Sequence, residues 1–484
     1  MSMFEFDDFD EGRGDDALND LVAAYEASLE EGGTAYFDSE ALEEIATHYF
    51  ERGQFETALD VIDRLIATHP YSSDAWLRRG VLLNNLDRND EALDAYDKAL
   101  GLNPVDPETV LNRGITLDNL GRSDEAMAAY DQVLQFDPMN EEALFNQGIT
   151  LEKLGQFDEA VATLERCAEL SPEHPEVWYE LGYCFDQAGR FDESVAAYDK
   201  QIDLDPYSQN AWYNRGIVLN RMERFEDAVM SYDFALAVDE AFASAHYNKG
   251  NALANMGDLE GAVESYLKVL EYEEGDAATF YNIGLAYEEL KDYPTAVTYF
   301  HRAVQDDPEY PEAWYGMGCC YDAVERHTDA LKCFARALQL RPEVGEFWYA
   351  RADSEYNAGL LDESLRSYAR VVELEPDNEE AWLDLGETLF EANHPEEALH
   401  AYEKAAEVAP DLSEAHVQQA KVLFALGRND EAVAALRQAF ELDPSVRDEI
   451  RHIYPDLAAD ARFRPLFGTE SLPRPGGERS RRTR

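Results

Sequence analysis

Apolar and polar positions along the chain recur with a period of 34 residues. Tryptophan occurs in a single phase, at Trp76, Trp178, Trp212, Trp314, Trp348 and Trp382. Four residues further on lie Gly80, Gly114, Gly148, Gly182, Gly216, Gly250, Gly284, Gly318 and Gly386, with Ala352 and Ala420 in the same column. Twelve residues beyond, small side chains return at Ala92, Ala126, Ala160, Ser194, Ala228, Ala262, Ala296, Ala330, Ser364, Ala398 and Ala432. An aromatic column follows, from Tyr96 and Tyr130 to Tyr368 and Tyr402, and a proline such as Pro70, Pro104 or Pro138 closes ten of the units. Small residues at fixed phase predict close helix crossings, and proline cannot continue a helix interior. Within a unit the apolar spacing is three to four, as in Trp76, Gly80, Leu83 and in Ala92, Tyr96, Ala99. This pattern predicts two amphipathic helices, not strands, separated by a polar turn such as Leu120-Gly121-Arg122-Ser123-Asp124.

Twelve such units begin at Ser39, Ser73, Pro107, Glu141, Pro175, Gln209, Ala243, Ala277, Pro311, Gly345, Glu379 and Ser413, covering residues 39–446 without insertion. The pattern resembles the tetratricopeptide repeat family. That resemblance implies an all-α fold, a right-handed superhelical solenoid of tandem helix-turn-helix units in which stacking buries one continuous core. Residues 16–38 read as an N-terminal capping helix and linker, and residues 447–467 as a C-terminal capping helix. The flanking stretches, acidic residues 1–15 and basic residues 468–484, read as disordered tails.

In this family the first helix of each unit lines the concave surface. The column after Trp then reads Leu77, Leu111, Phe145, Tyr179, Tyr213, Tyr247, Tyr281, Tyr315, Tyr349 and Leu383, a seven-unit aromatic run. Beside it stand Asn112, Asn146, Asn214, Asn248 and Asn282, interrupted by Glu180. An asparagine amide both donates and accepts, so a row of them can pair with the main chain of an extended peptide. The row is similar to the asparagine ladder of O-linked N-acetylglucosamine transferases, which implies peptide binding by these asparagines and by Tyr179, Tyr213, Tyr247, Tyr281, Tyr315 and Tyr349. A third column, Asn84, Asp118, Glu152, Asp186, Asn220, Glu288 and Asp322, broken at Ala254, is acidic and favours a basic or polar segment as partner. The carboxylate clamp that grips heat-shock chaperone tails needs lysine and arginine where this chain has Tyr247, Glu312 and Gly316, which argues against that partner.

Charge narrows the functional classes. Against 101 Asp+Glu stand 40 Lys+Arg, a net charge of −61, whose field repels nucleic acid and anionic membranes. The dispersed, lysine-poor acidity also raises the expectation of adaptation to a salt-rich cytoplasm. No stretch of about 18 apolar residues and no apolar leader occurs, so a soluble cytoplasmic protein is expected. Cys167, Cys184, Cys319, Cys320 and Cys333 lack metal-ligand spacing and read as small core residues. The histidines form no ligand motif, and Gly316-Met317-Gly318 sits inside a first helix without the third glycine of a phosphate loop. No cofactor, metal or catalytic centre is expected. The leading expectation is a non-enzymatic protein-interaction scaffold that binds an extended peptide in its concave groove. The alternative is a self-assembling solenoid whose basic C-terminal tail docks in an acidic groove.

Overall fold

The computed structural model describes residues 15–30, 35–453 and 466–467. Of the expected tails, residues 1–14 and 468–484 lie outside the described residues, as does most of the segment expected to seal the C-terminal end, whereas Asp15, placed in the tail from the sequence, begins the first helix. All regular structure among the described residues is helical. The chain divides into two compact units, Met1–Ala245 and His246–Arg484.

In the first unit the helix Asp15–Glu30 precedes six helix pairs, from Ser39–Glu51 with Phe55–Thr68 to Gln209–Arg221 with Phe225–Val238. The second unit carries the pairs from Ala277–Glu289 with Tyr293–Asp306 to Ser413–Ala425 with Asn429–Leu442, followed by Val446–Ile453. Each first helix is 13 residues and each second helix 14, with one exception, Val177–Gln187. That helix starts two residues after Pro175. The His174 Nδ1 atom accepts from the Val177 and Glu176 N–H groups at 3.2 and 3.3 Å and terminates the preceding turn.

Turns between paired helices end on a left-handed residue. At Gly121 (φ 72°) the Arg122 N–H bonds the Leu117 carbonyl at 2.9 Å, closing the helix in a Schellman arrangement. The conserved phase of small residues has a direct packing cause. A Cβ built on Gly80 would lie 2.3 Å from Tyr96 Cε1, and one on Gly216 would lie 2.5 Å from Tyr232 Cε1. Both rings are 0% exposed, so each glycine admits the aromatic side chain of its own second helix into the crossing.

The tryptophans brace the other turn. Trp76, Trp178, Trp212, Trp314, Trp348 and Trp382 each donate their indole N–H to the carbonyl of the proline six residues earlier, at 2.9–3.2 Å. A single contact thereby fixes where each first helix starts relative to the turn before it, and so aims the residues that follow tryptophan. Cys167, Cys184, Cys320 and Cys333 are buried, and burial raises each thiol pKa, as it does that of the half-buried Cys319.

Candidate functional site

In the column after tryptophan, Leu77, Leu111 and Phe145 are buried, whereas the tyrosines from Tyr179 to Tyr349 are half-buried and lean on the second helix of their own pair. Ring centroids lie 5.9 Å apart for Tyr179 and Tyr198, 6.1 Å for Tyr213 and Tyr232, and 5.9 Å for Tyr247 and Tyr266. Tyr281, Tyr315 and Tyr349 pair likewise with Phe300, Phe334 and Tyr368. Several also touch an aromatic residue further along the chain, as Tyr213 does Phe242 in the following turn at 4.7 Å and Tyr315 does Phe347 in the next first helix at 4.8 Å. Phe145 is buried against His174. The tyrosine rings of the column are therefore half-buried and held by packing, with the hydroxyls of Tyr179, Tyr247, Tyr315 and Tyr349 bonded to side chains of the following pair.

The asparagine column is bonded into the same scaffold. Asn214 Nδ2 donates to Tyr179 Oη at 2.9 Å, and Asn282 Nδ2 to Tyr247 Oη at 3.0 Å, each joining one pair to the next. Asn282 Nδ2 also donates to Asn251 Oδ1 at 3.2 Å. Asn146 and Asn112 instead donate to carbonyls one turn back, those of Glu142 and Glu108. Asn112 is 8% exposed, whereas Asn146, Asn214, Asn248 and Asn282 are half-buried. In Asn282 both amide hydrogens are committed, so its carbonyl oxygen is the group left to meet a ligand.

The acidic column differs between the units. In the first unit Asp118 pairs with Lys153 at 2.6 Å and Asp186 with Arg221 at 2.7 Å. Asn84 Nδ2 donates to Thr116 Oγ1 at 2.6 Å. Burial raises the pKa of both Glu152 and Glu180 from its ordinary value, the nearby Glu152 charge adding to the effect on Glu180. Protonation of either removes the repulsion of two neighbouring carboxylates. In the second unit burial pushes Glu288 up to about 7, and Asp322 pairs with His327 Nδ1 at 2.8 Å.

A denser acceptor cluster occupies the later pairs of the second unit. Tyr349 Oη donates to Asp384, and Tyr368 Oη donates to Asp353. Burial raises both carboxyls, Asp353 to about 6. A cavity of about 320 Å³ is lined by Asp322, Tyr349, Asp353, Tyr356, Asn357, Tyr368, Asp384, Glu387 and Thr388. Another of about 220 Å³ is lined by Tyr349, Glu380, Leu383, Asp384, Glu387, Tyr402, Glu414 and Gln418. Neither lining contains lysine or arginine.

Of the expected peptide-binding residues only Tyr349 lies in this cluster, which also takes in Asp322 from the acidic column and Leu383 from the column after tryptophan. Asn251, Asp353 and Glu387 belong to a column that reads Val81, Ile115, Ile149, Tyr183, Ile217, Asn251, Leu285, Cys319, Asp353 and Glu387. Polar residues replacing aliphatic ones at an otherwise hydrophobic phase were the available signal. Gly316 is explained by packing, since a Cβ there would lie 2.7 Å from Phe300 Cζ. Among the described residues no group of His, Cys, Asp and Glu could hold a metal, and no helix is long and apolar enough to cross a membrane.

Comparison with known proteins accounts for the repeat. A tetratricopeptide repeat model matches residues 43–107, 85–141, 111–166, 145–209, 349–413 and 383–447. Two others of that description match residues 311–344 and 278–310, and a TPR repeat model matches residues 250–291. No curated protein matches the chain. Among solved structures, YrrB, a TPR protein with an unusual peptide-binding site, is 23% identical over 39% of this chain and 96% of its own, with a TM-score of 0.36. MamA from Desulfovibrio magneticus RS-1 is 23% identical over 35% of this chain and 96% of its own, TM-score 0.34. The APC/C Cut9-Hcn1 hetero-tetramer matches at 13% identity over 84% of this chain and 93% of that one, TM-score 0.40. With one repeat model covering more than half of its length, the chain belongs to the tetratricopeptide repeat family.

Proposed function

We propose that this tetratricopeptide repeat protein is a non-catalytic interaction scaffold, and that the first-helix face of its second unit holds an extended, basic segment of another protein. The observation that carries this reading is a surplus of acceptors. Asp322, Asp353, Asp384, Glu387, Glu380 and Glu414 line adjoining cavities whose linings contain no cation. Ionised carboxylates only accept hydrogen bonds, and the amide hydrogens of Asn282 are already committed. A ligand must therefore bring donors: backbone N–H groups to the asparagine carbonyls, and lysine or arginine side chains to the carboxylates. The tyrosine run from Tyr247 to Tyr349 supplies rigid surface over which the aliphatic stems of those side chains can lie.

In the first unit Asn146, Asn214, Tyr179 and Tyr213 offer the same main-chain contacts, with Asn112 at the buried end of the row. There Lys153 and Arg221 neutralise Asp118 and Asp186, so that face selects less strongly for a cation.

The test is the affinity of a fluorescent 12-residue peptide of alternating lysine and serine for the full chain and for the variant Asp353→Asn/Asp384→Asn/Glu387→Gln. Saturable binding that weakens at least tenfold in the variant supports the reading. Equal affinity for both proteins rejects it. If deleting residues 468–484 tightens peptide binding, the basic tail competes for this face, as the self-docking alternative requires.

A further inference from the structure

The turns that join one helix pair to the next carry an unexplained difference between the units. At the position directly after the closing proline, the first unit exposes Tyr71 (85%), Val105 (63%) and Met139 (65%) on three successive turns, and Tyr207 (80%) further on. Leu102 and Phe136, just before two of these turns, are also exposed. Glu173 stands at this position between Met139 and Tyr207, and in the second unit the position after proline holds Glu309, Glu343, Asp377, Asp411 and Ser445.

The turn itself does not require an apolar residue. The Ser72 N–H bonds the His69 carbonyl at 3.2 Å and the Asn140 N–H bonds the Asp137 carbonyl at 3.2 Å in the first unit. Tyr310 to Asp307 (3.3 Å), Asn378 to Glu375 (3.1 Å) and Leu412 to Ala409 (3.1 Å) repeat that bond in the second. The side-chain brace is shared as well, since Asp137 Oδ1 accepts from the Met139 N–H at 3.0 Å and Asp307 Oδ1 from the Glu309 N–H at 2.9 Å. One scaffold thus carries either residue class, and the apolar choice at three successive turns of the first unit leaves a row of exposed apolar side chains. Rows of this kind mark interaction surfaces.

We propose that the row Tyr71, Val105, Met139 docks an amphipathic α-helix of a partner protein, with apolar residues at i, i+7 and i+14 and lysine or arginine beside them. Spacing selects the helix. The first helices that follow these turns, Ser73–Asn85, Pro107–Asn119 and Glu141–Lys153, touch in succession, and packed helices lie about 10 Å apart, so the turns present their apolar residues at about that interval. Seven helical residues rise about 10.5 Å and turn back to within about 20° of the same face, so all three contacts come from one stripe. An extended strand covers about 10 Å in three residues, but alternate residues of a strand face opposite sides, so its middle contact would point away. Charge selects the flanks. Exposed Asp74, Asp137 and Glu141 border the row on a chain of net charge −61, which opposes a second copy of itself and favours a cationic partner. The stretch 468–484 holds a single large aliphatic residue, Leu472, and cannot fill three positions.

The experiment uses the full chain and two labelled 18-residue peptides of identical lysine and leucine composition, one with leucine at positions 1, 8 and 15 and one with those leucines at 1, 6 and 11. Fluorescence anisotropy at physiological salt is expected to show the first peptide binding at least tenfold more tightly than the second. The variant Tyr71→Glu/Val105→Glu/Met139→Glu carries the residue class that the second unit tolerates, and its circular dichroism should match the parent's. Its affinity for the first peptide should fall at least tenfold, although its added charge would strengthen any purely electrostatic binding. Equal affinity of parent and variant, equal affinity of the two peptides, or no binding to the parent overturns the proposal. So does a parent that doubles its mass in sedimentation while the variant stays monomeric, because the row is then covered by a second copy.

Discussion

Tyr232 and Tyr266 occupy the same place in consecutive repeats, and replacing each by phenylalanine is expected to move stability in opposite directions. Both rings are buried, at 0% and 2% exposure. Tyr266 Oη donates to Asn251 Oδ1 at 2.8 Å, fifteen residues back. The corresponding residue for Tyr232 is Ile217, and the Tyr232 hydroxyl is buried without a hydrogen-bond partner. Burial lifts both phenols well above their ordinary pKa, so both are neutral at physiological pH. A buried hydroxyl with no partner costs about 1–3 kcal/mol, so Tyr232→Phe should stabilise by about 1 kcal/mol. Tyr266→Phe forfeits a net hydrogen bond of about 1 kcal/mol. The larger penalty of orphaning Asn251 is avoided there, because Asn251 Oδ1 still accepts from Asn282 Nδ2 at 3.2 Å. Repeat arrays distribute stability locally, so amide hydrogen exchange in Phe225–Val238 and Leu259–Tyr272 is the suitable assay. About 1 kcal/mol corresponds to roughly fivefold in exchange rate, slower in the first helix for Tyr232→Phe and faster in the second for Tyr266→Phe. If Tyr232→Phe accelerates exchange as much as Tyr266→Phe does, the reading of an unsatisfied hydroxyl is refuted.

Further outcomes follow from the same geometry. Gly216→Ala places a Cβ 2.5 Å from the Tyr232 ring, and the overpacking, about 1–3 kcal/mol, should exceed the gain of about 1 kcal/mol in helix propensity, lowering the urea midpoint; an unchanged midpoint would show that the ring can yield. Glu288 is held up at about 7 by burial, so the folded state binds its proton more tightly than the unfolded one, and its contribution to stability is present below the ordinary glutamate pKa and lost as pH rises through about 7. The decline in thermal midpoint between pH 5 and pH 8 should therefore be shallower in Glu288→Gln, and identical slopes would contradict the burial argument. The bond from Asn214 to Tyr179 should appear as a coupling of about 0.5–1 kcal/mol in a double-mutant cycle of Asn214→Ala and Tyr179→Phe, read by urea denaturation, whereas strict additivity would mean that it contributes nothing.

The helical repeat was legible in the sequence because its causes are local and recur. Glycine at positions 80 and 216 answers an aromatic ring sixteen residues later, and tryptophan answers a proline carbonyl six residues earlier, so each repeat displays its own constraints. The late start of the helix at Val177 was less visible, since it depends on the His174 ring accepting two backbone N–H groups, a role that spacing does not announce. The candidate site was legible in part. The tyrosine and asparagine columns stand out as periodic, but which amide hydrogens remain available is decided between repeats, as when Asn282 turns back to Tyr247 and Asn251. The carboxylates Asp353 and Glu387 went unremarked because they break a hydrophobic column instead of forming one of their own. The difference between an acceptor-lined face and an ion-paired one rests on Lys153 and Arg221, whose partners lie 35 residues away.

The most direct measurement of the central claim is photo-cross-linking of the alternating lysine–serine peptide to the full chain, with the attachment sites mapped by mass spectrometry. Cross-links concentrated on the second unit's first helices, at Tyr315, Tyr349, Asp353, Asp384 and neighbouring residues, and displaced by excess unlabelled peptide, are the predicted result. Cross-links spread over the exposed acidic second helices, such as Leu361–Leu374 and Pro395–Val408, with none on the first helices, would contradict it.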